Sequence, residues 1–432
     1  MINLKKILKK EDSKRLVSNF ISLSILQAVN YILPLVTLPY LIRVIGMDNV
    51  GLLAFATATI TYFQIVTDYG FNLTATREIS IHRKNGRKID EIFNSVMTIK
   101  IGLAIISFFI LFIITISLKK FSEHLEIYLL TFGTVIGQVL FPIWFFQGME
   151  KMKYITYLNI LAKSIFTFAI FLFVKEREDY YLVPLLTSVG FIVTGILSLC
   201  IIHRTFGVRF RRQPINILRH HFLEGWHIFI SNLFTTLYRN TNVIILGFLT
   251  NNMIVGYYSI AERTIKSLQS IQSVAGNALF PFFTKKFDNS KKEYFGFLKK
   301  YSKYVFGVYL GYAVLVYLFS GIIVLLLTQE NNVDVLINLK ILSLVLLFGG
   351  LNYFYGILGL VMLNYKKDFS KSIIITGVCN IVLCYILVKF FKDIGASLAL
   401  VFSELLLLIL IGNKMFGIKK RLFRRHYLKN KA

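Results

Sequence analysis

Long apolar runs separated by short polar connections fill almost the whole chain. A helix that crosses the hydrocarbon core of a bilayer needs about 20 mostly apolar residues. Runs of this length are too long for soluble strands, and lipid permits only helices or closed barrels, so they predict membrane helices. The twelve predicted spans are 16–43, 49–70, 92–118, 124–149, 152–174, 180–203, 224–250, 252–284, 301–327, 334–363, 370–391 and 394–414.

Part of the second predicted span returns in the eighth. Val50–Gln64 and Val255–Gln269 are identical at six of fifteen positions without a gap. An internal repeat at half the chain length, inside apolar helices, is typical of a transporter built from two related halves. Each half then has an even number of spans, so both copies enter the membrane in the same direction and the repeat is parallel.

The predicted fold is an all-α polytopic membrane protein. It has about twelve transmembrane helices in two parallel, pseudo-symmetric six-helix halves around a central cavity, with both termini inside. Residues 1–203 form the N-terminal half and 224–416 the C-terminal half. Residues 204–223, a basic segment, are predicted to be an amphipathic linker on the cytoplasmic surface. Residues 417–432 form a basic cytoplasmic tail.

Composition and charge agree with a membrane protein. Hydrophobic residues make up 56% of the chain and charged residues 16%, which excludes a soluble protein. Of the 49 Lys and Arg residues, 36 fall in the termini and in alternate connections. This alternation is the positive-inside rule, and it places both termini in the cytoplasm. Topology and anionic lipid account for the net charge of +27, so no nucleic-acid partner is expected.

Polar side chains form stripes on four predicted spans. In the second span Thr57, Thr61, Gln64 and Asp68 recur every three or four residues, which places them on one helical face. Stripes facing lipid are unfavourable, so they are predicted to line a shared interior. The eighth span repeats the stripe with Ser259, Glu262, Lys266, Gln269, Ser273 and Asn277. The predicted polar lining of the cavity is Gln27, Gln64, Asn232, Asn242 and Gln269.

Charged side chains inside the spans are a sharper signal. A charge at a helix centre costs about 2.5–3.5 kcal/mol on insertion scales. The pattern predicts a cationic cavity for an anionic substrate, and phosphate suits it because Arg offers paired donors. Its predicted members are Arg239, Arg263, Lys266 and Lys163, whereas Lys100 is expected to be less deep. The alternative is local pairing, since Glu262 and Lys266 are four residues apart on one helix.

Three acids are candidates for coupling transport to an ion: Asp68, Glu262 and Glu404. Asp68 lies near the cytoplasmic end of its span, where pairing with Arg77 or Arg83 is the alternative. Glu404 is a lone protonated acid, an interhelical partner or a proton carrier, and the sequence does not choose among these. No cofactor is expected, apart from H⁺ or Na⁺ as the coupling ion.

Signals for catalysis and for metal binding are absent from the sequence. It has no glycine-rich phosphate loop, no metal-spaced His/Cys cluster and no large extramembrane loop that would host an active site. Histidines such as His220 and His221 fall in basic cytoplasmic segments and are expected at the surface. The sequence therefore predicts a protein that is not an enzyme and holds no metal.

Several motifs carry a resemblance to a known family. They are Asn30–Gly46, Asn49–Gly51, Asp68–Ser80, Pro142–Ile155 and Tyr257–Glu262. In these segments the chain resembles the Wzx-type polysaccharide flippases, which share a superfamily with the MATE multidrug exporters and the lipid II flippases. The resemblance covers most of the chain and is densest before residue 160.

The resemblance implies a function. Such proteins move undecaprenyl-diphosphate-linked oligosaccharide repeat units from the cytoplasmic to the periplasmic leaflet of the bacterial inner membrane, by alternating access. O-antigen, capsule or exopolysaccharide assembly uses the product. Membrane lipids are implied partners, and the polymerase and chain-length machinery of the same pathway are further candidates.

Three alternatives stay open at this point. A MATE-like ion-coupled exporter of small cations shares the fold, but its cavity should be acidic. A lipid II flippase fits the charge, although its typical form has extra spans. A membrane glycan polymerase is more remote, because it would normally carry a sizeable loop or a catalytic His/Arg cluster.

Overall fold

A computed structural model describes residues 10–287 and 291–429. Within these ranges, side chains are described except at 10–26, 28, 31, 32, 238, 273–287, 291–293 and 419–429. The side chains of Ser273 and Asn277 in the predicted polar stripe therefore lie outside the described residues, as do most of those in the predicted basic tail. The described chain is helical almost throughout and contains no strand.

Twelve helices are labelled in chain order. In the first half they are α1 (Lys10–Asp68), α2 (Phe71–Ile81), α3 (Gly86–Ser117), α4 (Leu125–Leu140), α5 (Ile143–Gly148), α6 (Met152–Phe173) and α7 (Leu182–Phe206). In the second half they are α8 (Ile215–Leu249), α9 (Asn252–Phe287), α10 (Lys291–Thr328), α11 (Val333–Asn352) and α12 (Lys366–Lys429). A one-turn helix, Lys119–Ser122, precedes α4, a 3₁₀ helix, Arg177–Tyr181, precedes α7, and a π-helix, Tyr353–Val361, continues α11.

Two of these helices are each broken into two spans. In α1 the break is at Gly46, with φ of 81°, a left-handed value that glycine adopts without strain. In α12 the break is at Lys392, with φ of 50°. The fourth span is interrupted before Pro142, so α4 and α5 together cross once. Counted in this way, the described helices supply one segment for each of the twelve predicted spans.

Most of these segments are strongly apolar. Eight helical stretches of the described chain are long and apolar enough to cross a membrane, and two of them, Leu33–Ile81 and Lys366–Ile418, hold two spans each. The two spans outside this set, α8 and α9, carry the predicted polar and cationic stripes. The protein is therefore an all-α polytopic membrane protein.

Contacts divide the chain into two compact units. The N-terminal unit holds the residues up to Gly46 together with Ala56–Leu233. The C-terminal unit holds Met47–Phe55 together with everything from Phe234 onward. The packing boundary thus falls inside α8, whereas the predicted boundary of the repeat at residues 204–223 stays a prediction.

An aromatic core fills one end of the N-terminal unit. Trp144, Phe145 and Phe146 of the short helix α5 are all fully buried. They pack with residues of α2 and α3, among them Ile79 and Phe93. Gly148 ends α5 directly against Ile79, where an added β-carbon would lie 2.6 Å from the Ile79 side chain. This close packing fixes α2 and thereby the charged residues that it carries.

The predicted linker is fastened to α3 by two side chains, Asp90 and the buried Asn94. Residues 207–214 form no helix. The amide nitrogen of Asn94 donates to the Arg209 carbonyl oxygen (2.8 Å), and its oxygen accepts from the Arg211 backbone nitrogen (3.1 Å). The Arg209 backbone nitrogen also donates to Asp90 (3.2 Å). The segment therefore lies as an extended strap on the N-terminal unit and leads into α8.

In the C-terminal unit the beginnings of the two repeat copies pack against each other. A β-carbon added at Gly51 would lie 1.8 Å from the Asn252 carbonyl oxygen and 2.6 Å from the Gly256 backbone nitrogen. One added at Gly256 would lie 2.5 Å from the Met47 carbonyl oxygen. Gly51 and Gly256 hold equivalent positions in the repeat, so each copy keeps a glycine where the other copy's backbone approaches.

Candidate functional site

Lys266 on α9 links a buried acid to the helix beside it. Its ammonium nitrogen lies 3.1 Å from Oε2 of Glu262, one turn earlier on the same helix. It also donates to Asn240 Oδ1 and to the Arg239 carbonyl oxygen on α8, both at 3.5 Å. The Lys266 side chain is 38% exposed and that of Glu262 only 5%. Local pairing of Glu262 with Lys266, the alternative to a free cation at this position, is thus observed.

Glu262 is also the end of a buried hydrogen-bonded chain. The Tyr258 hydroxyl donates to its second oxygen, Oε1, at 3.1 Å. The amide nitrogen of Asn242 on α8 lies 3.3 Å from that hydroxyl and donates to the Ala396 carbonyl oxygen at 3.1 Å. Asn242 and Tyr258 are both buried. A carboxylate with these partners is held in place on both of its oxygens.

The chain continues from Asn242 into α12. The amide nitrogen of Asn380 donates to Asn242 Oδ1 at 2.8 Å, and the Ser403 hydroxyl donates to Asn380 Oδ1 at 2.8 Å. All three side chains are buried in a bundle whose surroundings are apolar. Buried amides without partners are costly, so their mutual satisfaction specifies how α8 and α12 pack. Asn242 is therefore part of a buried network, whereas the sequence predicted it as cavity lining.

The two arginines of the predicted cationic site differ from Lys266. Arg239 is exposed on α8 and Arg263 is half-buried on α9. Neither has a carboxylate within 4.0 Å among the described residues. Since Glu262 neutralises Lys266, the net positive charge of this part of the C-terminal unit comes from the two guanidinium groups.

The remaining cationic and polar predictions fall in the N-terminal unit. Lys163 is half-buried on α6, Gln27 is exposed on α1, and Asn232 is half-buried at the start of the membrane-spanning part of α8. That Lys163 shares one cavity with Arg239, Arg263 and Lys266 stays a prediction. The same holds for Gln27 and Asn232 as parts of a common lining.

Gln64 and Gln269, the last identical residues of the repeat, make matching contacts. The Gln64 amide donates to the Thr134 hydroxyl on α4 at 3.1 Å. The Gln269 amide donates to the Val345 carbonyl oxygen on α11 at 3.4 Å. Helices α4 and α11 belong to the fourth and tenth spans, which are equivalent in the two halves. The repeat seen in the sequence therefore extends to the contacts within each unit.

Glu404 on α12 is an interhelical partner. The amide nitrogen of Asn352 on α11 donates to its carboxylate at 2.7 Å and to its carbonyl oxygen at 2.9 Å. Gly349 lies beside it, where an added β-carbon would be 2.5 Å from the Gln269 amide nitrogen and 3.7 Å from Glu404 Oε2. The glycine thus lets two polar side chains approach α11.

Asp68 pairs with Lys100, across a distance of 3.7 Å. The Lys100 side chain is only 2% exposed, while its depth in the membrane relative to the other cations stays a prediction. Asp68 does not use Arg83, the alternative partner, since that residue pairs with Glu150 at 2.8 Å and with the Gly148 carbonyl oxygen at 3.1 Å. A buried acid and a buried base compensate each other here, which the positions along the chain did not reveal.

One charged cluster was missed by sequence reasoning. His221 was expected at the surface, but it is 6% exposed and its Nδ1 lies 3.2 Å from Glu78 Oε2. Burial, together with the nearby Glu224 carboxylate, raises the pKa of Glu78 to about 7. Burial lowers the pKa of His221. The spacing of His220, His221 and Glu224 on α8 was the signal in the sequence that could have indicated this cluster. The residue that they approach, Glu78 on α2, is distant in sequence.

Comparison with known proteins supports one family. Residues 16–287, more than half of the chain, match the polysaccharide biosynthesis protein family. An Escherichia coli K12 protein named "Putative O-antigen transporter" is 30% identical over 402 residues, which is 92% of this chain and 97% of that protein. A Shigella dysenteriae protein of the same name is 25% identical over 401 residues, 90% of this chain and 98% of that protein.

Solved structures agree with this assignment at the level of the fold. The lipid II flippase MurJ in an inward closed conformation has a TM-score of 0.71 at 16% identity, over 93% of this chain and 87% of that one. A multidrug resistance MATE family transporter of the MOP superfamily has a TM-score of 0.64 at 14% identity, over 93% and 99% of the two chains. Because the family match covers more than half of the chain and a relative is 30% identical over 92% of it, this chain belongs to the polysaccharide biosynthesis protein family.

Proposed function

We propose that this protein is a flippase for lipid-linked oligosaccharides. It moves undecaprenyl-diphosphate-linked repeat units from the cytoplasmic to the periplasmic leaflet of the bacterial inner membrane, for O-antigen, capsule or exopolysaccharide assembly. The family and the names of its curated relatives support this class of substrate. Membrane lipids and the polymerase and chain-length machinery of the pathway are its proposed partners. The proposal includes no enzymatic activity.

The cationic groups on α8 and α9 carry this proposal. Lys266 is partly exposed and hydrogen-bonded to Asn240, while Arg239 and Arg263 have no carboxylate within 4.0 Å among the described residues. A diphosphate that crosses a low-dielectric region needs compensating positive charge, and guanidinium groups provide it with paired donors. Amides such as Gln269 provide the hydrogen-bonding partners that sugar hydroxyls need.

The lipid tail of the substrate need not leave the membrane. In the proposed cycle the head group enters between the halves through a lateral opening, and the isoprenoid chain stays in lipid. Rocking of the halves then exposes the head group to the opposite leaflet. Attraction of the diphosphate to Arg239, Arg263 and Lys266 is what selects an anionic head group.

Glu262 is the proposed coupling group among the three candidate acids. Asp68 is held by Lys100, and Glu404 by Asn352. Glu262 alone of the three joins a partly exposed cation to a buried hydrogen-bonded chain, through Lys266 on one oxygen and Tyr258 on the other. Protonation of Glu262 would break its ion pair with Lys266, so occupancy of this site by a proton and by the diphosphate would be linked.

A strain deleted for its own flippase and carrying this gene tests the function. Leaflet-resolved labelling should show lipid-linked repeat units on the periplasmic face with the wild-type gene. With an empty vector, complete units should accumulate on the cytoplasmic face. A polymerase would instead leave single units exported when the gene is lost, and this outcome would overturn the proposal.

The cationic site is tested in the same strain. Separate substitutions Arg239→Ala, Arg263→Ala and Lys266→Ala should each lower the export of repeat units, at protein amounts equal to wild type. Full export by all three variants would refute the cationic site. It would not affect the flippase assignment, which the deletion experiment tests separately.

A further inference from the structure

A second polar cluster lies away from the cationic groups, at the aromatic end of the N-terminal unit. Glu78 of α2 and His220 and Glu224 of α8 each bring one possible ligand atom into this cluster. These atoms all lie within 4.8 Å of one another. The cluster belongs to no part of the proposed transport path.

Two separate helices hold these three groups in position. His220 and Glu224 are four residues apart on α8, so both side chains lie on one helical face. Glu78 approaches from α2, which is fixed by the contact of Gly148 with Ile79. An imidazole and two carboxylates that converge from two rigid helices have the composition of a metal site.

Two of the three groups are carboxylates, and they lie close together. Glu78 and Glu224 lie within hydrogen-bonding contact of each other. Oε2 of Glu224 is buried and has no hydrogen-bonding partner among the described residues. Two carboxylates this close repel each other when both are ionised, and a bound cation relieves that repulsion.

The remaining groups around the cluster leave room for an ion. A cavity of about 380 Å³ adjoins it, lined by Glu78, His82, Lys88, Glu91, His220 and His221. This is space for several waters at about 30 Å³ each. Lys88 is the nearest cation, but Glu91 pairs with it at 2.7 Å. His221 holds the other side of the Glu78 carboxylate.

We propose that Glu78, His220 and Glu224 form a binding site for a divalent transition-metal ion, with Zn²⁺ as the ion best suited to the ligands. One imidazole and two carboxylates fit Zn²⁺, whereas Mg²⁺ and Ca²⁺ prefer sites made of oxygen alone. Water from the cavity completes the coordination. The ion ties α2 to the first turns of α8, directly after the strap that Asn94 fastens to α3.

The test uses the full-length protein in lipid nanodiscs, with its affinity tag removed because polyhistidine binds metals. Equilibrium dialysis against Zn²⁺ alone at pH 7.5, followed by elemental analysis, measures bound metal per chain. Wild type is compared with the double variant His220→Ala/Glu224→Gln. His227→Ala is the matched control, since this exposed histidine lies on the same helix outside the cluster.

Wild type and the control should bind one Zn²⁺ per chain, and the double variant at least about tenfold more weakly. Equal binding by all three proteins, or none by wild type, overturns the proposal. A thermal scan separates loss of ligands from misfolding. Zn²⁺ should raise the Tm of wild type and the control but not that of the double variant, whose Tm without metal should match wild type.

A second metal ion tests the choice of ligands. Mg²⁺ at the same concentration should neither displace Zn²⁺ nor raise the Tm of the wild-type protein. Stabilisation by Mg²⁺ that equals stabilisation by Zn²⁺ would refute an imidazole-containing transition-metal site.

Discussion

Gly51 and Gly256, which occupy the same position in the two copies of the internal repeat, pack backbone to backbone in the C-terminal unit. A side chain on either residue would overlap the other copy, most severely at Gly51, where an added β-carbon lies 1.8 Å from a carbonyl oxygen. The contact joins two backbones, so no rotamer change relieves the overlap. Both copies therefore need a glycine at this position, because a side chain on either one would overlap the opposite backbone.

Gly51→Ala should destabilise the protein by more than about 3 kcal/mol, because overpacking against a side chain already costs about 1–3 kcal/mol. Thermal unfolding of the purified protein in detergent measures the effect. Gly102→Ala is the control, since nothing described lies within 4 Å of an added β-carbon there and alanine favours the helix. A Tm for Gly51→Ala equal to that of Gly102→Ala would disprove the packing constraint.

Lys266→Glu should lower repeat-unit export by more than about tenfold, because it places a carboxylate beside Glu262 and repels the diphosphate. The repeat offers a matched control at the equivalent position. The Thr61 hydroxyl bonds only its own helix, at the Thr57 carbonyl oxygen (2.8 Å), so Thr61→Ala should keep export within about twofold. Equal losses in both variants would count against the assignment of anion recognition to α8 and α9.

Glu262→Gln should abolish the response of transport to an imposed proton gradient. The glutamine keeps the size of the side chain and still accepts from Tyr258, but it carries no titratable proton. Transport of a fluorescent lipid-linked saccharide in proteoliposomes, with and without the gradient, measures the response. Glu404→Gln should retain it, because Asn352 can still donate to a glutamine carbonyl oxygen. If transport by Glu262→Gln responds to the proton gradient as wild type does, Glu262 is not the coupling group.

Lys100→Met should destabilise the protein by about 3–5 kcal/mol, since it leaves the Asp68 carboxylate buried without compensation. The double variant Lys100→Met/Asp68→Asn should recover most of this loss, because no charge then remains. The measurement is a double-mutant cycle: denaturation midpoints are compared for wild type, Lys100→Met, Asp68→Asn and the double variant. Additive losses in the double variant would mean that the two residues do not compensate each other.

Stability should fall as the pH rises through the pKa of Glu78. The unfolded pKa of this group is 4.5 and the folded pKa about 7, so the folded state holds the extra proton between these values. Between pH 6.5 and 8, ionisation should lower the free energy of unfolding by about 1 kcal/mol. His221 acts in the opposite direction, because its folded pKa is lowered, and this contribution fades as the pH rises above its unfolded pKa of 6.5.

The difference in Tm between wild type and Glu78→Gln isolates this contribution when both are scanned in a metal chelator. The wild-type Tm should drop relative to the variant from pH 6.5 to 8. Parallel curves across this range would show that Glu78 does not titrate between pH 6.5 and 8 in the folded state.

The fold was largely predictable because lipid leaves few choices. A run of apolar residues long enough to cross the bilayer must be a helix, and the twelve predicted spans all correspond to helical segments. The i, i+4 pairing of Glu262 with Lys266 was also readable, since helix geometry places these residues together. The breaks at Gly46 and Lys392 coincide with the short connections between apolar runs.

Contacts between helices were not predictable in the same way. The burial of Lys100 is compensated by Asp68 from another helix, and that of His221 by Glu78 on α2. Asn242 was assigned to a cavity, whereas its partners Asn380 and Ser403 come from a helix far along the chain. Spacing along one helix gives the face of a residue but not which neighbour covers it.

The assignment of Met47–Phe55 to the C-terminal unit bears on how the gene can be divided. The polypeptide passes between the units at Gly46, at Phe55 and again at Leu233, so no single cut releases either unit whole. A C-terminal fragment expressed alone would lack the segment that seats Gly51 on Gly256. Two separately encoded halves should therefore fold and function only when produced together, with the first fragment completing the second.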